Sequence, residues 1–264
     1  MAITRATRVV LLGAGNVATS LAMTLRDKCE LKQIYSRTLA HATALACKCG
    51  CDDATSDLKA LADADVYIVS VSDDAIAGVS RDAGGDRHAL WLHTSGSTPM
   101  EVFGSDRPFH GVLYPMQSFS RELVADMNRV HFFIEGNTPE ATALSEQLAL
   151  TMSPHVHHAN SRQRESLHVA AVFACNFANH MFTLASEVLD NENLPFEAML
   201  PLIGNMVAKL DHLSPAASQT GPAARGDMAI IRRHLSRLEG RKKEIYRLIS
   251  QSILDKNAQQ PQQI

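Results

Sequence analysis

The sequence predicts an α/β protein with a doubly wound parallel sheet in its first half and an all-helical second half. Three observations carry this expectation. Residues 8–18 read RVVLLGAGNVA, which is an apolar run followed by a glycine turn and an alanine-rich helix. Short β-rich segments then alternate with helical patterns, as expected for a parallel sheet covered by helices. After Ser161 no convincing strand pattern remains.

The predicted strands and helices follow one another in a regular order. Residues 9–12 are apolar without polar alternation, as in a parallel strand that is buried on both faces. The strand at residues 111–114 should be stopped by Pro115. The other expected strands lie at residues 31–35, 65–71, 89–93 and 130–135, and the main expected helices at residues 17–26, 139–152, 161–189, 195–210, 227–238 and 241–254. A domain boundary is expected after residue 157, which separates a first domain (1–157) from a second (158–264).

The glycine turn after the first strand has the spacing of a dinucleotide-binding fingerprint. Gly13 permits a tight turn, Gly15 lets the backbone approach a pyrophosphate, and Ala18 occupies the helix–strand packing position. The helix that begins with Asn16 and Val17 would direct its free N–H groups toward the phosphates. A second predicted strand completes a βαβ unit of about 30 residues. We therefore expect a dinucleotide-binding Rossmann domain rather than an ordinary strand–turn–helix connection.

The residues that end the second predicted strand bear on the choice of cofactor. Ser36, Arg37 and Thr38 stand where enzymes that prefer NAD usually have an acidic residue for the ribose hydroxyl group. Arginine presents a rigid set of donors that suits a 2′-phosphate. We therefore expect NADP(H), with NAD less favoured; the alternative is a solvated arginine at a strand end. The missing acid also argues against an S-adenosylmethionine methyltransferase.

Further polar residues are expected around the same crevice, because ligands of open α/β sheets bind beyond the carboxyl ends of the strands. Asp73 has a second interpretation, since it can cap the helix expected from Ala75. His93 and Ser95 belong to a polar segment that can bind an amide or a carboxylate, or can instead form a helix N-cap. The expected cofactor contacts from these two strand ends are Ser70, Val71, Ser72, Asp73, His93 and Ser95.

Composition and charge argue against several function classes. The 264-residue chain has a formal net charge of −3, so a nucleic-acid-binding protein, which needs a dense basic stripe, is not expected. We expect no stretch long enough to span a bilayer and no secretory signal, which favours a cytoplasmic protein. Cys47, Cys49 and Cys51 lack a fourth ligand, and His155 and His157 lack a nearby carboxylate or cysteine, so no metal site is expected.

Four segments carry a resemblance to a known family. They read HTSGS at residues 93–97, GVLYPMQSF at 111–119, HVAAVFACNFANH at 168–180 and QTGPAARGD at 219–227. With the glycine turn, they resemble Rossmann-like NADP oxidoreductases that carry a C-terminal helical domain of unknown function. These are related to pyrroline-5-carboxylate reductases and 6-phosphogluconate dehydrogenases. The resemblance spans nearly the whole chain and implies a reductase or dehydrogenase that forms a homodimer through its helical domain.

The long helix expected at residues 161–189 carries the candidate catalytic groups. At about 100° per residue, its polar stripe contains His168, Val172, Cys175 and Asn179, with Asn176 on the flank. The resemblance to β-hydroxyacid dehydrogenases implies a lysine and an asparagine one turn apart. Asn176 matches the asparagine, but Val172 precedes it by one turn and the helix has no lysine. His168 is therefore the expected proton donor, and the alternative is a structural histidine and asparagine.

Two further positions bear on the substrate. Arg225 lies in a polar loop before a predicted helix and suits a substrate carboxylate; the alternative is a structural pair with Asp227. Tyr114 stands where prephenate-type dehydrogenases have a histidine, so an acid–base role is not carried over to it. The sequence thus predicts hydride transfer between NADP(H) and a small carbonyl, imine or hydroxy-acid substrate. The alternative is a sensor that binds NADP(H) without chemistry.

Overall fold

The computed structural model describes residues 2–120 and 125–259. The chain forms two compact units, Met1–Asn176 and Phe177–Ile264. The first unit extends beyond residue 157, where the sequence places the boundary. The first unit extends further because the long helix begins against the sheet. Arg164, near the start of that helix, is buried and donates a hydrogen bond to Glu135 on a strand.

The first unit is built on one eight-stranded sheet with the order β3-β2-β1-β4-β5-β6-β7-β8. The strands are β1 (Arg8–Leu12), β2 (Glu30–Tyr35), β3 (Ala54–Thr55), β4 (Val66–Val69), β5 (Leu90–His93), β6 (His110–Met116), β7 (His131–Gly136) and β8 (Val156–His158). The first six strands are parallel and have the 3-2-1-4-5-6 order of a dinucleotide-binding fold. The order reverses between β1 and β4, which is where such folds bind their ligand.

Helices cover both faces of this sheet. The apolar sides of α1 (Asn16–Leu25), α2 (Leu39–Cys49) and α4 (Pro139–Met152) pack with Val9 and Leu11 on one face. On the other face α3 (Asp73–Asp82) packs with Val10 and Leu12. Because successive residues of β1 point to opposite faces, its uninterrupted apolar run supplies both layers of the core. The predicted doubly wound α/β fold is confirmed.

The end of the sheet differs from the expectation. Pro115 does not stop β6, which continues to Met116. Proline fits there because β5 ends opposite Val112, so one side of β6 has no strand partner beyond that point. In addition, β7 runs antiparallel to β6, so the sheet is mostly rather than wholly parallel. β8 pairs with β7 in a segment where no strand was expected.

One continuous helix runs through residues Ser161–Asp190. It consists of α5 (Ser161–Ala171), a π-helical turn (Val172–Phe177) and α6 (Ala178–Asp190). By length and composition alone it could cross a membrane, contrary to the expectation from the sequence, and none of its most apolar stretch is buried in the single chain. One such helix is weak support for a membrane span, because a helix that packs against another subunit has the same composition.

The second unit is helical and leaves many apolar side chains exposed. After α6 come α7 (Leu200–Ala208), α8 (Met228–Leu235) and α9 (Gly240–Gln259). Asp227 caps α8 by accepting a hydrogen bond from the Ile230 N–H (3.2 Å). The exposed large apolar residues on and around α7 are Leu194, Leu200, Leu202, Met206, Val207, Leu210 and Leu213.

Candidate active site

A crevice of about 530 Å³ opens at the carboxyl ends of β1, β2, β4 and β5. It lies at the reversal of strand order, where ligands of doubly wound sheets bind. Twelve of the expected cofactor contacts line it: Gly13, Gly15, Asn16, Val17, Ser36, Arg37, Thr38, Ser70, Val71, Ser72, Asp73 and Ser95. The other two, Ala18 and His93, are not among the lining residues.

Gly13 makes the turn between β1 and α1. Its φ of +133° lies where residues with a side chain are strained, and a Cβ there would overlap the carbonyl group of Ser70. Its N–H donates a hydrogen bond to the carbonyl oxygen of Tyr35 (2.7 Å). The turn is therefore packed between β2 and β4, and only glycine fits it.

Gly15 leaves open the space that a phosphate group needs at the start of α1. A Cβ built on it would meet no atom within 4 Å. It is also the N-cap of α1, so the first N–H groups of the helix receive no side-chain cap. Ala18, by contrast, is completely buried in the core. Its role is helix–strand packing, and a direct cofactor contact is not available to it.

The end of β2 forms the outer wall of the crevice. Ser36, Arg37 and Thr38 line it, as expected. Arg37 is exposed and forms no ion pair within the described part of the chain, so its guanidinium can bind an anion. His41, in the first turn of α2, lines the same wall. No sequence motif marks His41, and only the geometry of α2 places it beside Arg37.

Asp73 links the end of β4 to the loop after β5. The helix starts at Asp73 itself, two positions before the expected Ala75, with Ser72 as the N-cap. The Asp73 carboxylate accepts a hydrogen bond from the hydroxyl group of Ser97 (2.5 Å). The start of this helix has no side-chain cap hydrogen bond, and Asp73 is one of the residues that line the crevice.

The loop after β5 is organised by two polar side chains. The His93 ring is completely buried, which explains its absence from the crevice wall, and its Nδ1 accepts a hydrogen bond from the Ser95 N–H (3.2 Å). Burial, followed by the positive charge of Arg164, lowers the pKa of His93 to about 3, so the ring is neutral at neutral pH. The Ser95 hydroxyl accepts from the N–H groups of Ser97 (3.1 Å) and Thr98 (2.9 Å), which closes a tight turn.

Arg164 holds this loop from the beginning of α5. Its guanidinium is only 1% exposed and donates to the carbonyl oxygens of Ser95 (3.2 Å) and Thr98 (2.7 Å). It also forms an ion pair with Glu135 on β7 (2.6 Å). A buried arginine needs such partners to offset its desolvation. No sequence pattern indicates this role, since an arginine in the first turns of a helix is usually solvated.

Tyr114 and His168 form a polar pair next to the loop. The Tyr114 hydroxyl lies 3.3 Å from His168 Nδ1, and the two rings meet edge to face. Gly96 lies against both, because a Cβ there would come within 2.8 Å of His168 Nδ1 and 2.9 Å of Tyr114 Cζ. Burial, followed by the negative charge of Asp73, raises the pKa of Tyr114. The expected candidate His168 is therefore partnered by a tyrosine that the sequence did not mark as a site residue.

The other two expected catalytic residues have different surroundings. A π-helical turn holds about one more residue than an α-helical turn, so the stripe of His168 and Val172 continues through Asn176 rather than Cys175. Asn176 therefore lies on the stripe, and not on its flank as predicted. Arg225 lies in the second unit and is exposed. It forms no ion pair within the described residues, so the alternative pairing with Asp227 is not observed.

The two clusters considered for metals are a histidine stack and a group of thiols. The His155 and His157 rings stack on His131, with centroids 4.6 and 5.0 Å away. Burial raises the pKa of the Cys49 and Cys51 thiols, which disfavours the thiolate that binds metals. Within residues 2–120 and 125–259, no group of three or more histidine, cysteine or acidic residues is arranged to hold a metal ion.

Family profiles match both halves of the chain. The profile described as "Shikimate / quinate 5-dehydrogenase" matches residues 2–80, which include the glycine turn. The profile described as "Domain of unknown function (DUF2520)" matches residues 130–253, which include the long helix. No curated protein sequence matched the chain.

Solved structures identify the family. A structure described as a "putative NADP oxidoreductase" from Bacteroides fragilis is 43% identical, with a TM-score of 0.90 over 95% of this chain and 99% of that chain. A pyrroline-5-carboxylate reductase from Streptococcus pyogenes is 12% identical, with a TM-score of 0.64 over 96% of this chain and 99% of that chain. A reductive aminase from Aspergillus terreus, solved with NADPH and ethyl levulinate, is 14% identical, with a TM-score of 0.60 over 88% of this chain and 78% of that chain. The last two show a shared fold, whereas the first shows that the chain belongs to the Rossmann-like NADP oxidoreductase family with a C-terminal helical domain of unknown function.

Proposed function

We propose that this protein transfers a hydride between NADP(H) and a small carbonyl, imine or hydroxy-acid substrate. The observation that carries the proposal is the crevice at the reversal of the sheet order. Its open space at Gly15 and the exposed cation of Arg37 suit the phosphate groups of NADP(H). Family membership supports the same class of cofactor and reaction.

The crevice offers groups for each charged part of the cofactor. The uncapped start of α1, after Gly15, suits the pyrophosphate, because its N–H groups and the helix dipole favour an anion. Arg37 and His41, with two hydroxyl groups beside them, suit the 2′-phosphate. Asp73 and Ser95 line the wall formed by the ends of β4 and β5, where the nicotinamide of such folds lies. When bound, the cofactor supplies or accepts the hydride.

Three residues of the chain are proposed to act on the substrate. His168 supplies the proton that accompanies the hydride, since its imidazole is part-exposed and its ring nitrogens can pass a proton on. Asn176, on the same stripe of the helix, orients the substrate through its amide group. Arg225, whose guanidinium is exposed, binds a substrate carboxylate through paired hydrogen bonds.

We further propose that the protein works in the cytoplasm as a homodimer assembled through its helical unit. The support is the exposed apolar surface of that unit, where Leu202 is 64% and Val207 is 55% exposed. Soluble monomers rarely expose large contiguous apolar patches, and a second copy would remove this one from water. The same burial accounts for the apolar composition of the long helix without a membrane.

Calorimetric titration with NADPH and NADH tests the cofactor site. Arg37→Leu should weaken NADPH binding about 10- to 100-fold and leave NADH binding unchanged, because only NADPH carries the charged 2′-phosphate that Arg37 contacts. The matched control is Arg129→Leu, which removes an exposed arginine outside the crevice. Equal loss of both cofactors in Arg37→Leu would contradict the assignment of the 2′-phosphate.

A substrate screen tests the reaction itself. Imino, keto and hydroxy acids, and their uncharged analogues, are offered with NADPH or NADP⁺ while absorbance at the nicotinamide wavelength is followed. We expect turnover with at least one carbonyl or imine compound, with lower KM for the acids if Arg225 binds a carboxylate. Tight NADPH binding with no turnover across the panel would refute the proposed reaction.

A further inference from the structure

We propose that Tyr114 is the residue that gives the proton directly to the substrate and that His168 restores it. This inference rests on the proposed function, since a proton donor needs a reduction to serve. It assigns a catalytic residue on β6 that neither the fingerprint nor the family description marks. In this scheme His168 does not give its proton directly to the substrate; it restores the proton that Tyr114 has given.

The geometry of the pair supports this order. The Tyr114 hydroxyl and His168 Nδ1 are 3.3 Å apart, which allows a proton to pass between them. Tyr114 lies near the carboxyl end of β6, which is at the same edge of the sheet as the crevice. His168 lies on α5. The imidazole is only partly covered, so its other nitrogen can exchange a proton with water.

The loop next to the crevice brings the pair close to the site wall. Ser95 lines the crevice, and Gly96, the next residue, lies against both rings. No larger residue fits at that position without moving one ring, since a Cβ would come within 3.0 Å of His168 Cβ as well as of Nδ1. Position 96 therefore requires glycine because there is no space for a side chain. Its backbone conformation does not require glycine, since its φ is not in the left-handed region.

Charges around the phenol favour its protonated form. The Asp73 carboxylate acts on Tyr114 and raises its pKa beyond the effect of burial, while Arg164 acts in the opposite direction. Arg164 is paired with Glu135, which limits its effect. A phenol that keeps its proton at neutral pH can donate it at the moment when negative charge develops on a substrate oxygen or nitrogen.

The proposed reduction conserves protons and electrons. In the direction of reduction, the C=O or C=N carbon gains the hydride and its oxygen or nitrogen gains the proton from the Tyr114 hydroxyl. The resulting phenolate takes the proton from Nδ1 of His168 while Nε2 of the same ring takes one from the solvent, so that the imidazole stays neutral and the net proton comes from the solvent. The hydride would come from NADPH, which would thereby be oxidised to NADP⁺. In the direction of oxidation every transfer is reversed.

The pair can be tested because the chain contains a second tyrosine–histidine pair as a matched control. Tyr114→Phe keeps the ring and removes the hydroxyl; we expect kcat to fall at least about 100-fold with the NADPH Kd and the melting temperature unchanged. Tyr246→Phe removes the same type of bond, in which the hydroxyl lies 2.8 Å from His234 Nδ1 in the second unit. That control should keep kcat within about twofold of the wild type.

His168→Gln tests the relay. We expect a smaller fall in kcat than in Tyr114→Phe, together with a larger solvent deuterium isotope effect, because return of the proton to the phenolate becomes slow. A residue that only supports the fold would lower stability without changing this isotope effect. The double variant should be no slower than Tyr114→Phe alone, since both residues serve one proton path.

The outcomes separate the two proposals. The inference would be overturned if the wild type turns over a substrate and Tyr114→Phe keeps kcat within about threefold of the wild type. The proposed function would then remain intact. A His168→Gln variant slower than Tyr114→Phe would restore His168 as the direct donor and also overturn it. Absence of turnover in the wild type, with NADPH bound, would overturn the proposed function and this inference with it.

Discussion

The two compact units of the chain differ in how far they bury their apolar residues. In the first unit the apolar residues of β1 and β4 are fully buried, and helices cover both faces of the sheet. In the second, α7 reads LPLIGNMVA and no residue of it is buried within the single chain. The first unit therefore completes its core with its own residues. Apolar surface of the second unit remains for another molecule to cover.

This difference predicts where each unit obtains its stability. Burial contributes about 25 cal/mol per Å² of apolar surface removed from water, so the sheet gains its stabilisation on folding. The exposed face of α7 gains none until it is covered. Changes to buried groups of the first unit should therefore alter unfolding, whereas changes to exposed leucines of the second should alter association.

Gly13→Ala should have the largest effect on the first unit. The added Cβ would overlap the Ser70 carbonyl group at a φ of +133°, and backbone on both sides prevents relief. We expect a loss of about 5 kcal/mol or more in the free energy of unfolding, measured by urea denaturation.

Gly15→Ala is the matched control, two residues further along the same turn. Its Cβ meets no atom within 4 Å, so stability should change by less than about 1 kcal/mol. The NADPH Kd should nevertheless rise at least about tenfold, because the methyl group takes space next to the pyrophosphate. Equal stability of the two variants would refute the structural distinction drawn between the two glycines.

Acid should weaken the first unit through His93. The unfolded chain protonates this histidine below a pKa of 6.5, while burial holds its pKa in the folded protein at about 3. The folded state thus binds fewer protons between these values, and stability falls as the pH is lowered from 6.5 toward 3, by ~4 kcal/mol over the whole range. Urea denaturation at a series of pH values measures this slope.

His93→Asn isolates that contribution. Its side-chain oxygen can still accept the hydrogen bond from the Ser95 N–H, but asparagine does not titrate. The variant should lose a large part of the dependence on pH below 6.5. An unchanged slope would mean that other groups cause the acid sensitivity.

Leu202→Glu should have a smaller effect, and on a different quantity. Leu202 is 64% exposed in the single chain, so a charge there should barely change the stability of the subunit. If a second copy covers α7, the buried charge should raise the dimer Kd about 100-fold, as seen by sedimentation equilibrium. Leu150→Glu on α4, at a leucine that is 52% exposed, should leave the association state unchanged. A dimer that persists in Leu202→Glu would place the interface elsewhere.

The strands of the first unit were predictable because their signals are local. Residues of β1, β4 and β5 are apolar on both faces, and the helices between them follow recognisable turns. Pro115 was misjudged because its effect depends on whether a neighbouring strand needs its missing N–H, which is a tertiary fact. The π-helical turn was missed for a related reason, since no residue type in Val172–Phe177 specifies the altered hydrogen bonding.

The candidate site was predictable to the extent that backbone requirements determine it. Gly13 and Gly15 follow from a turn that needs a positive φ and open space. His93 was misplaced because strand position alone does not tell which face its ring takes. Arg164 could not be found from the sequence, because its importance comes from a contact with a residue 66 positions away. Tyr114 was noticed by its position in the chain, but its pairing with His168, 54 positions away, could not be foreseen.

Arg164 also has a thermodynamic consequence for recognition. Its bonds to the Ser95 and Thr98 carbonyl oxygens order the loop after β5 before any ligand arrives. A preorganised loop loses little conformational entropy on binding, so more of the contact free energy appears as affinity. The loop loses its conformational entropy during folding, so no ligand has to order it again on binding. The same rigidity restricts which substrates the loop can accommodate, so selectivity at this wall should depend on shape complementarity rather than on adaptation.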